Sequence, residues 1–275
     1  MKKIAFQGEK GAFSEDAALH FWGPDAEPVP LNRFRDVFHA VAEGRCDFGI
    51  LPIENSHTGS IHQNMDLLLE YNLSVCGEII LRIHHYLLAV RGARMGDIRR
   101  ILSHPQAIEQ CSKFLEGLAG VEIVPAYDTA GSARLVFEQN RKDQAAIASQ
   151  RAGLDYGLVP IEKKIENDDQ NFTRFIAVAR EPLGLDREAK TSIVFSTKNI
   201  PGALFKALSV FALRDINLLK IESRPLRKGP WKYYFYLDFE GSLSSAACQN
   251  AINHLGEIAS YLKVLGSYSK GRVVL

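Results

Sequence analysis

The chain changes its pattern of apolar residues near residue 181, and this change most constrains how it can fold. Before that point, short apolar runs alternate with segments of helical spacing such as Pro105–Leu115, which is typical of an α/β domain. The predicted strands of this part include Lys3–Gln7, Phe48–Pro52, Ile83–Val90, Arg100–Ser103, Val121–Ala126, Ala145–Ala148 and Phe172–Val178.

A second pattern follows the polar segment Glu181–Lys190, which contains proline and glycine, has no clear period and is predicted to be a linker. The elements predicted after it are Thr191–Ser196, a helix opened by Pro201-Gly202, Leu218–Ser223, Trp231–Phe239, the helix Ser244–Tyr261 and Leu262–Tyr268. Their order, βαββαβ, is that of a ferredoxin-like domain. We therefore predict a larger α/β domain at residues 1–181 and a ferredoxin-like domain at residues 191–269.

Composition and motif content narrow the class of protein. The formal net charge of +1 gives no reason to expect nucleic acid or an anionic membrane as a partner. No apolar run approaches the length of a bilayer span, and Met1–Lys10 does not resemble a signal peptide, so we expect a cytoplasmic protein. The four cysteines are far apart and form no CxxC pair, which favours buried or neutral positions over disulfides or zinc.

Polar residues follow several predicted strands at the point where each strand ends. These segments are Gln7–Ser14, Pro52–Ser60, Ser103–Gln106, Asp128–Ser132 and Ile147–Ser149. Ligands of open α/β sheets bind at the carboxyl ends of strands, where loops meet helix N-termini. A single junction of this kind is more often only a helix cap. Five of them in one domain predict a cleft for a small anionic ligand.

Several familiar site motifs are missing from the sequence. No GxGxxG follows the first predicted strand, and GxxxxGK[ST], HExxH and GxSxG do not occur. His57 and His62 are five residues apart, and His84 and His85 are adjacent on a predicted strand, so neither pair has ligand spacing. We therefore expect no metal and no nucleotide cofactor.

The ordered motifs resemble those of the prephenate dehydratase family along nearly the whole chain. The matching segments are Gly8–Ala18 (GEKGAFSEDAA), Pro52–Ile61 (PIENSHTGSI), Ser103–Cys111 (SHPQAIEQC), Asp128–Ser132 (DTAGS), Ala145–Ser149 (AAIAS) and Asn171–Phe175 (NFTRF). The second part resembles the family's regulatory ACT domain at Pro201–Leu204 (PGAL) and Ile221–Pro225 (IESRP). The resemblance implies a catalytic domain of two lobes, like those of periplasmic binding proteins, with the active site in the cleft, followed by a ferredoxin-like ACT domain.

By this resemblance the chain would remove water and carbon dioxide from prephenate, giving phenylpyruvate on the route to L-phenylalanine. The family's threonine that assists the leaving hydroxyl corresponds to Thr173. Because a free threonine hydroxyl is far too weak an acid near neutral pH, we expect it to donate a hydrogen bond. Arg174 is the candidate partner of a substrate carboxylate. Neighbouring strand residues face opposite sides, so both reach the cleft only if the strand end is irregular.

The resemblance implies further residues for both sites. Glu54 and Asn55 are the other candidate catalytic residues. The alternative for Glu54 is a carboxylate at a helix end that has no chemical role. The remaining candidate substrate-binding residues are Ser56, Ser103, Gln110, Thr129, Ser149 and Phe175. The candidate phenylalanine-binding residues of the ACT domain are Gly202, Ala203, Leu204, Glu222, Ser223 and Arg224. The alternative is that Gly202 only begins a helix and that Glu222–Arg224 form only a surface ion pair. A homodimer or homotetramer is also implied.

Two rival functions stay open at this point. Arogenate dehydratase shares the motifs and differs only in acting on the transaminated substrate. A non-catalytic amino-acid sensor would have a similar pair of lobes, but the NFTRF motif favours an enzyme over a sensor. The first predicted strand begins almost at Met1, so we expect a single activity without a chorismate mutase segment.

Overall fold

The computed structural model describes residues 1–184, 188–225 and 233–275. The helices are α1 Phe13–Trp22, α2 Phe34–Ala42, α3 His62–Glu70, α4 Pro105–Gln110, α5 Ser112–Glu116, α6 Thr129–Gln139, α7 Gln150–Tyr156, α8 Ala203–Ala212 and α9 Ala246–Ile258. The strands are β1 Lys2–Gln7, β2 Ala26–Leu31, β3 Phe48–Asn55, β4 Gly59–Ser60, β5 Ser74–Arg82, β6 Tyr86–Ala89, β7 Arg100–Ser103, β8 Glu122–Pro125, β9 Gln144–Ala148, β10 Val159–Lys163, β11 Phe172–Ala179, β12 Ala189–Ser196, β13 Leu218–Pro225, β14 Tyr233–Glu240, β15 Tyr261–Ser269 and β16 Arg272–Val274.

The described residues divide into two compact units. Unit 1 consists of Met1–Tyr71, Ile79–Ile176 and Arg272–Leu275, and unit 2 consists of Asn72–Glu78 and Ala177–Gly271. The strands form three sheets, in the orders β16-β5-β11-β3-β1-β2 with β4 paired to β3, β10-β6-β9-β7-β8, and β13-β14-β12-β15. Two mixed α/β sheets followed by a βαββαβ sheet confirm the predicted fold class. The predicted domain boundaries, at residue 181 for the α/β domain and at residue 191 for the ferredoxin-like domain, stay predictions.

Lobe A of unit 1 is built on the sheet that contains β1, β2 and β3, which pair in parallel. Its core includes Ile4, Phe6, Ile50 and Phe175, all at most 2% exposed. The sequence pattern missed β2 (AEPVPL) because its two prolines argue against a central strand. The structure places β2 at the end of the sheet order, where only one side must supply hydrogen bonds.

Lobe B of unit 1 is built on β6 to β10, with β7 parallel to both β8 and β9. One face of its sheet packs Leu88, Ala146 and neighbours, and the other packs Leu87, Ile147 and neighbours. The predicted helix Pro105–Leu115 is interrupted at Cys111, which separates α4 from α5. The predicted strand Ile83–Val90 is shorter than expected, from Tyr86 to Ala89, and the backbone N–H of His85 before it donates to the Glu166 carboxylate.

Unit 2 holds the βαββαβ elements. Helices α8 and α9 pack on one face of its four-stranded sheet around Phe195, Phe211, Phe239 and Leu255, each 0% exposed. The predicted helix Ser244–Tyr261 is shorter than expected, and Tyr261 is instead the first residue of β15. Residues 231 and 232 of the predicted strand Trp231–Phe239, and part of the predicted linker, lie outside the described residues.

The structure also bears on the expectations for the cysteines and for membrane-spanning segments. All four cysteines are buried and free, and burial raises the pKa of Cys76 and of Cys111 to about 12. Among the described residues, no helix is both long enough and apolar enough to cross a membrane.

Candidate active site

A cavity of about 610 Å³ lies in unit 1 at the carboxyl ends of strands from both lobes. Gln7 ends β1 and Asn55 ends β3, while Arg33 follows β2. Lobe B contributes His104 after β7 and Asp128 after β8. This is the edge of parallel sheets at which ligands are expected, and its size suits a small organic molecule.

The cavity is suited to a negatively charged ligand. The first residues of three helices lie in its lining: Phe13 of α1, Phe34 of α2 and Thr129 of α6. Helix N-termini carry partial positive charge and direct backbone N–H groups outward. Arg33, which precedes α2, adds a guanidinium to the same lining. Each of these groups favours a carboxylate over a neutral ligand.

Asn55 holds Thr173 at the floor of the cavity. Asn55 Nδ2 donates to Thr173 Oγ1 at 2.9 Å and to Asn171 Oδ1 at 2.8 Å. Asn55 and Thr173 are 7% and 8% exposed, and both line the cavity. Because an amide N–H can only donate, Thr173 Oγ1 is the acceptor of this bond. Its own hydroxyl hydrogen is therefore left for an acceptor atom in the cavity.

The structure brings some of the predicted residues together at the cavity and not others. Of the described residues predicted for this site, those in the lining are Asn55, Gln110, Thr129, Thr173 and Phe175. Those outside the lining are Glu54, Ser56, Ser103, Ser149 and Arg174. The assigned roles of both sets stay predictions.

The alternation of β11 explains why Arg174 is not in the lining. Strand β11 is regular from Phe172, so Thr173 and Phe175 face the cavity while Arg174 faces the opposite side. There Arg174 Nη2 lies 3.2 Å from Glu54 Oε2, and this ion pair engages both charged side chains away from the cavity. The irregular strand end that would bring Thr173 and Arg174 together is not present.

Three predicted serines form structural hydrogen bonds. Ser103 Oγ donates to Ile147 O at 2.7 Å between β7 and β9. Ser149 Oγ caps α7 by accepting from Ala152 N, and it donates to Gly11 O at 2.6 Å. Ser56 Oγ donates to Gln170 O and accepts from the N–H of Phe172, each at 2.9 Å. The Ser103 bond therefore joins two strands, whereas the Ser149 and Ser56 bonds connect segments that are distant in sequence.

The lining residues that sequence reasoning missed include Arg33 and His85. Arg33 follows the proline-containing strand β2, so the junction could be found only after that strand was recognised. His85 was considered only as a metal ligand, whereas its Nε2 lies 2.9 Å from Gln110 Oε1. It is 2% exposed, and burial lowers the pKa of its imidazole. No sequence signal connects His85 with Gln110.

The next question is whether the described residues could hold a metal ion. The described parts of the chain contain no group of three or more His, Cys, Asp or Glu side chains that could hold a metal ion. His84 Nδ1 instead lies 2.6 Å from Glu166 Oε1, next to the cavity residue His85.

The predicted effector residues lie at two places in unit 2. Gly202 has a φ of 75° and precedes α8, and a Cβ added there would meet nothing within 4 Å. Glu222 Oε2 lies 3.2 Å from Lys220 Nζ. Along β13, Glu222 and Arg224 face one side and Ser223 the other. Their binding role stays a prediction.

The fold and the cavity together define an open-sheet α/β protein whose cleft presents hydrogen-bond donors to a small anion, joined to a ferredoxin-like unit. Comparison with known proteins makes this more specific. The sequence model of prephenate dehydratase matches residues 4–183, and that of the ACT domain matches residues 191–247.

Individual relatives agree with these matches. The Arabidopsis thaliana protein named arogenate dehydratase/prephenate dehydratase 2, chloroplastic, is 50% identical over 97% of this chain and 72% of its own length. A prephenate dehydratase from Arthrobacter aurescens, solved in complex with L-Phe, has a TM-score of 0.88 and 31% identity, covering 97% of this chain and 89% of that one. The structure of GqqA, described as a novel type of quorum quenching acylase, has a TM-score of 0.87 and 34% identity over 97% of both chains. This chain therefore belongs to the prephenate dehydratase family, and it is a hydro-lyase with a C-terminal ACT domain.

Proposed function

We propose that this enzyme converts prephenate to phenylpyruvate, water and carbon dioxide at the cavity of unit 1. The observation that carries the proposal is the Thr173 hydroxyl, whose oxygen accepts from Asn55 and whose hydrogen remains for a ligand. A donor fixed at this point can stabilise the oxygen that leaves the substrate ring.

The chemistry needs little more than orientation and one proton. The bond between the ring carbon and its carboxylate breaks, and its electron pair becomes part of the aromatic ring. The bond from the opposite ring carbon to its hydroxyl breaks at the same time, with its electron pair on the departing oxygen. One proton reaches that oxygen and completes water. Thr173 donates a hydrogen bond to the departing oxygen, because its hydroxyl is too weak an acid to be poised as a free acid near neutral pH.

The other lining groups hold the two carboxylates of the substrate. Arg33 and the N-termini of α1, α2 and α6 attract them, and Gln110 adds an amide donor. The carboxylate that leaves as carbon dioxide loses its charge in the reaction. We therefore assign the strongest contacts to the side-chain carboxylate, which is retained in phenylpyruvate, since holding the leaving group tightly would oppose decarboxylation.

The test is turnover with purified protein and two separate substrates. Phenylpyruvate from prephenate is the expected product, and we expect turnover to survive exhaustive chelation. Arogenate is the second candidate substrate, because the Arabidopsis relative carries both names. Faster formation of phenylalanine from arogenate would favour that alternative. Absence of product from either substrate would reject the enzymatic assignment.

Acyl hydrolysis, the activity in the description of GqqA, needs a nucleophile beside a general base. The partner of Thr173 Oγ1 is an amide N–H, which cannot accept a proton. We therefore expect no acylase activity from Thr173, and an acylase substrate is a suitable negative control in the same assay.

We further propose that L-phenylalanine binds unit 2 and inhibits the dehydratase. The likeness to the L-Phe complex and the positive φ of Gly202, where backbone can approach a ligand closely, support this proposal. Inhibition requires tighter binding to the less active state. Gly202 or Ser223 substituted by a bulkier residue should keep kcat and lose inhibition. Calorimetric titration with phenylalanine, paired with turnover assays, tests it: neither heat nor a rate change at millimolar phenylalanine would reject regulation.

Assembly and location complete the proposal. Apolar side chains are exposed on α8 and β13 of unit 2, namely Phe205 (76%), Leu219 (42%) and Ile221 (45%), which supports a homodimer or homotetramer. Light scattering on a sizing column would measure the mass. We also propose a cytoplasmic location, which cell fractionation would test.

A further inference from the structure

A buried chain of hydrogen bonds connects His85 to Thr173 through three amide side chains. His85 Nε2 lies 2.9 Å from Gln110 Oε1, and Asn171 Nδ2 donates to the same oxygen at 3.2 Å. Asn171 Oδ1 accepts from Asn55 Nδ2, which also donates to Thr173 Oγ1. We call these residues the amide chain: His85, Gln110, Asn171, Asn55 and Thr173. Four of them are at most 8% exposed, so most of the chain is shielded from bulk water.

The backbone fixes the direction of this chain at Asn55. Asn55 Oδ1 accepts from the backbone N–H of His57 at 3.0 Å and of Thr58 at 3.1 Å. A backbone N–H can only donate, so the oxygen of the Asn55 amide must face this loop. Its Nδ2 is then forced to be the donor toward Asn171 and Thr173.

Each following amide is oriented by the one before it. Because Asn55 donates, Asn171 must present Oδ1 to it, and Asn171 Nδ2 then faces Gln110. Gln110 must therefore accept through Oε1. An oxygen at that position requires His85 Nε2 to carry a hydrogen. His85 is thus the second donor to Gln110 Oε1 and ends the chain.

The surroundings of the other ring nitrogen agree with this tautomer. His85 Nδ1 is buried and makes no hydrogen bond within the part of the chain that the structure describes. The ring of Phe13 packs edge-on against the imidazole, with centroids 5.7 Å apart. A hydrogen on Nδ1 would be buried here without an acceptor, whereas a bare nitrogen costs less. The lowered pKa of His85 likewise favours the neutral ring.

We infer that His85 is a positioning residue that holds the Gln110 side chain with its Nε2 amide hydrogens offered to the ligand. With two donors on Oε1, turning the Gln110 amide over would place N–H against N–H at both contacts. With Asn171 alone, the amide is held by a single long bond. A turned amide would present an oxygen to an anionic ligand, which repels it. His85 therefore sets the polarity of one side of the cavity, as Asn55 does at Thr173.

This inference rests on the proposed function for its kinetic test. His85→Leu removes the donor, and we expect kcat/KM to fall about 10- to 100-fold, the effect of losing a hydrogen bond to a charged group. His85→Gln keeps an N–H close to the position of Nε2 and should recover most of the loss. Leu87→Val, on the next strand of the same lobe, loses core packing without touching the amide chain and should keep kcat/KM near wild type.

A double variant distinguishes positioning from a general structural role. If His85 acts through Gln110, His85→Leu should have almost no further effect on kcat/KM in a Gln110→Ala background. An equal loss in both backgrounds would overturn the inference, and so would unchanged kcat/KM in His85→Leu. If His85→Leu does not fold, His85→Gln is measured in the wild-type and Gln110→Ala backgrounds instead. A loss of kcat/KM that is as large in the Gln110→Ala background as in the wild type would reject the inference.

A second measurement does not depend on the reaction. Nitrogen-15 NMR of histidine-labelled, ligand-free enzyme distinguishes the two neutral tautomers, with His85→Gln to assign the signal. The Nε2–H tautomer is expected near neutral pH. An Nδ1–H tautomer or a charged ring would overturn the inference. If the expected tautomer is found but prephenate is not turned over, the proposed function fails while the orientation of Gln110 stands.

Discussion

The two units each bury a polar network, and the networks differ in kind. The amide chain of unit 1 is neutral and lies at the cavity. In unit 2, Lys190 Nζ lies 2.9 Å from Glu78 Oε2 and 3.2 Å from Asp238 Oδ2, and all three side chains are at most 11% exposed. Ser192 donates to Asp238, and the N–H of Gly271 donates to Glu78. We call Lys190, Glu78 and Asp238 the ionic cluster.

The neutral amide chain and the charged cluster are suited to different tasks. Amides and hydroxyls have a donor end and an acceptor end, so a chain of them carries a direction and can leave donors at a cavity. Charges are costly to bury, and a cluster of them is stable only when its members satisfy one another. The amide chain is therefore suited to ligand binding, whereas the ionic cluster is suited to holding strands together.

The largest expected effect comes from the end of the amide chain at the cavity. Thr173→Ala should lower kcat by about two to four orders of magnitude, because it removes a donor to the departing oxygen, while KM changes little. Steady-state kinetics with prephenate measure this. Thr173→Ser keeps the hydroxyl and should retain part of the activity. Near-normal turnover in folded Thr173→Ala enzyme would contradict the assignment.

Breaking the ionic cluster should instead affect stability. Lys190→Met takes the cation away from two buried carboxylates and should lower the free energy of unfolding by about 3–5 kcal/mol, measured by urea denaturation. At a temperature where the variant is folded, kcat should stay near wild type. Lys270→Met is the matched control, because Lys270 pairs with Glu188 and Glu240 at the surface and should contribute far less. An equal loss of unfolding free energy in Lys190→Met and Lys270→Met would show that the buried cluster contributes no more than the surface pairs.

Reversing the polarity of one amide should lower activity more than stability. Asn55→Asp replaces the donor Nδ2 by an oxygen of the same size, so the Thr173 hydroxyl can turn inward and donate to it instead of to the substrate. We expect kcat to fall about 100-fold. Asn64→Asp is the control, since Asn64 is 0% exposed and donates to Pro52 O outside the amide chain. A similar loss of kcat in Asn64→Asp would argue against a specific polarity effect.

The smallest expected effect is a pH dependence of stability. The unfolded chain protonates His85 near its ordinary pKa of 6.5, whereas the folded state has a lowered pKa because the ring is buried. The hydrogen bond with Gln110 and the charge of Glu166 oppose this shift of the pKa, and His84 adds to it. Below pH 6.5 the unfolded state binds the extra proton, so this contribution is present above that pH and is lost as the pH falls. His85→Gln should lose less stability than wild type between about pH 7.5 and about pH 5.5 in urea unfolding. Identical pH dependence would exclude His85 as the source.

Local sequence patterns were reliable where burial and period agree. The strands predicted at Arg100–Ser103 and at Phe172–Val178 are present, as is the βαββαβ order of unit 2. Strand β5 and the proline-containing β2 were missed. Period alone does not separate a largely buried strand such as β5 from a buried helix, and β2 tolerates proline because it ends its sheet.

Sequence alone determined the family motifs and the βαββαβ order of unit 2, and it identified Thr173 and Asn55 as candidate catalytic residues. Which motif residues reach the cavity was decided only by the tertiary structure: Arg174 faces away on a regular strand, and Ser103 and Ser149 bond to backbone. The same is true of the partners of the amide chain. Asn55 and Thr173 are 118 residues apart, and His85 and Gln110 are 25 apart. The direction of hydrogen bonds between such distant side chains depends on how the two lobes fold around the cavity. The spacing of apolar residues along the sequence therefore cannot predict it.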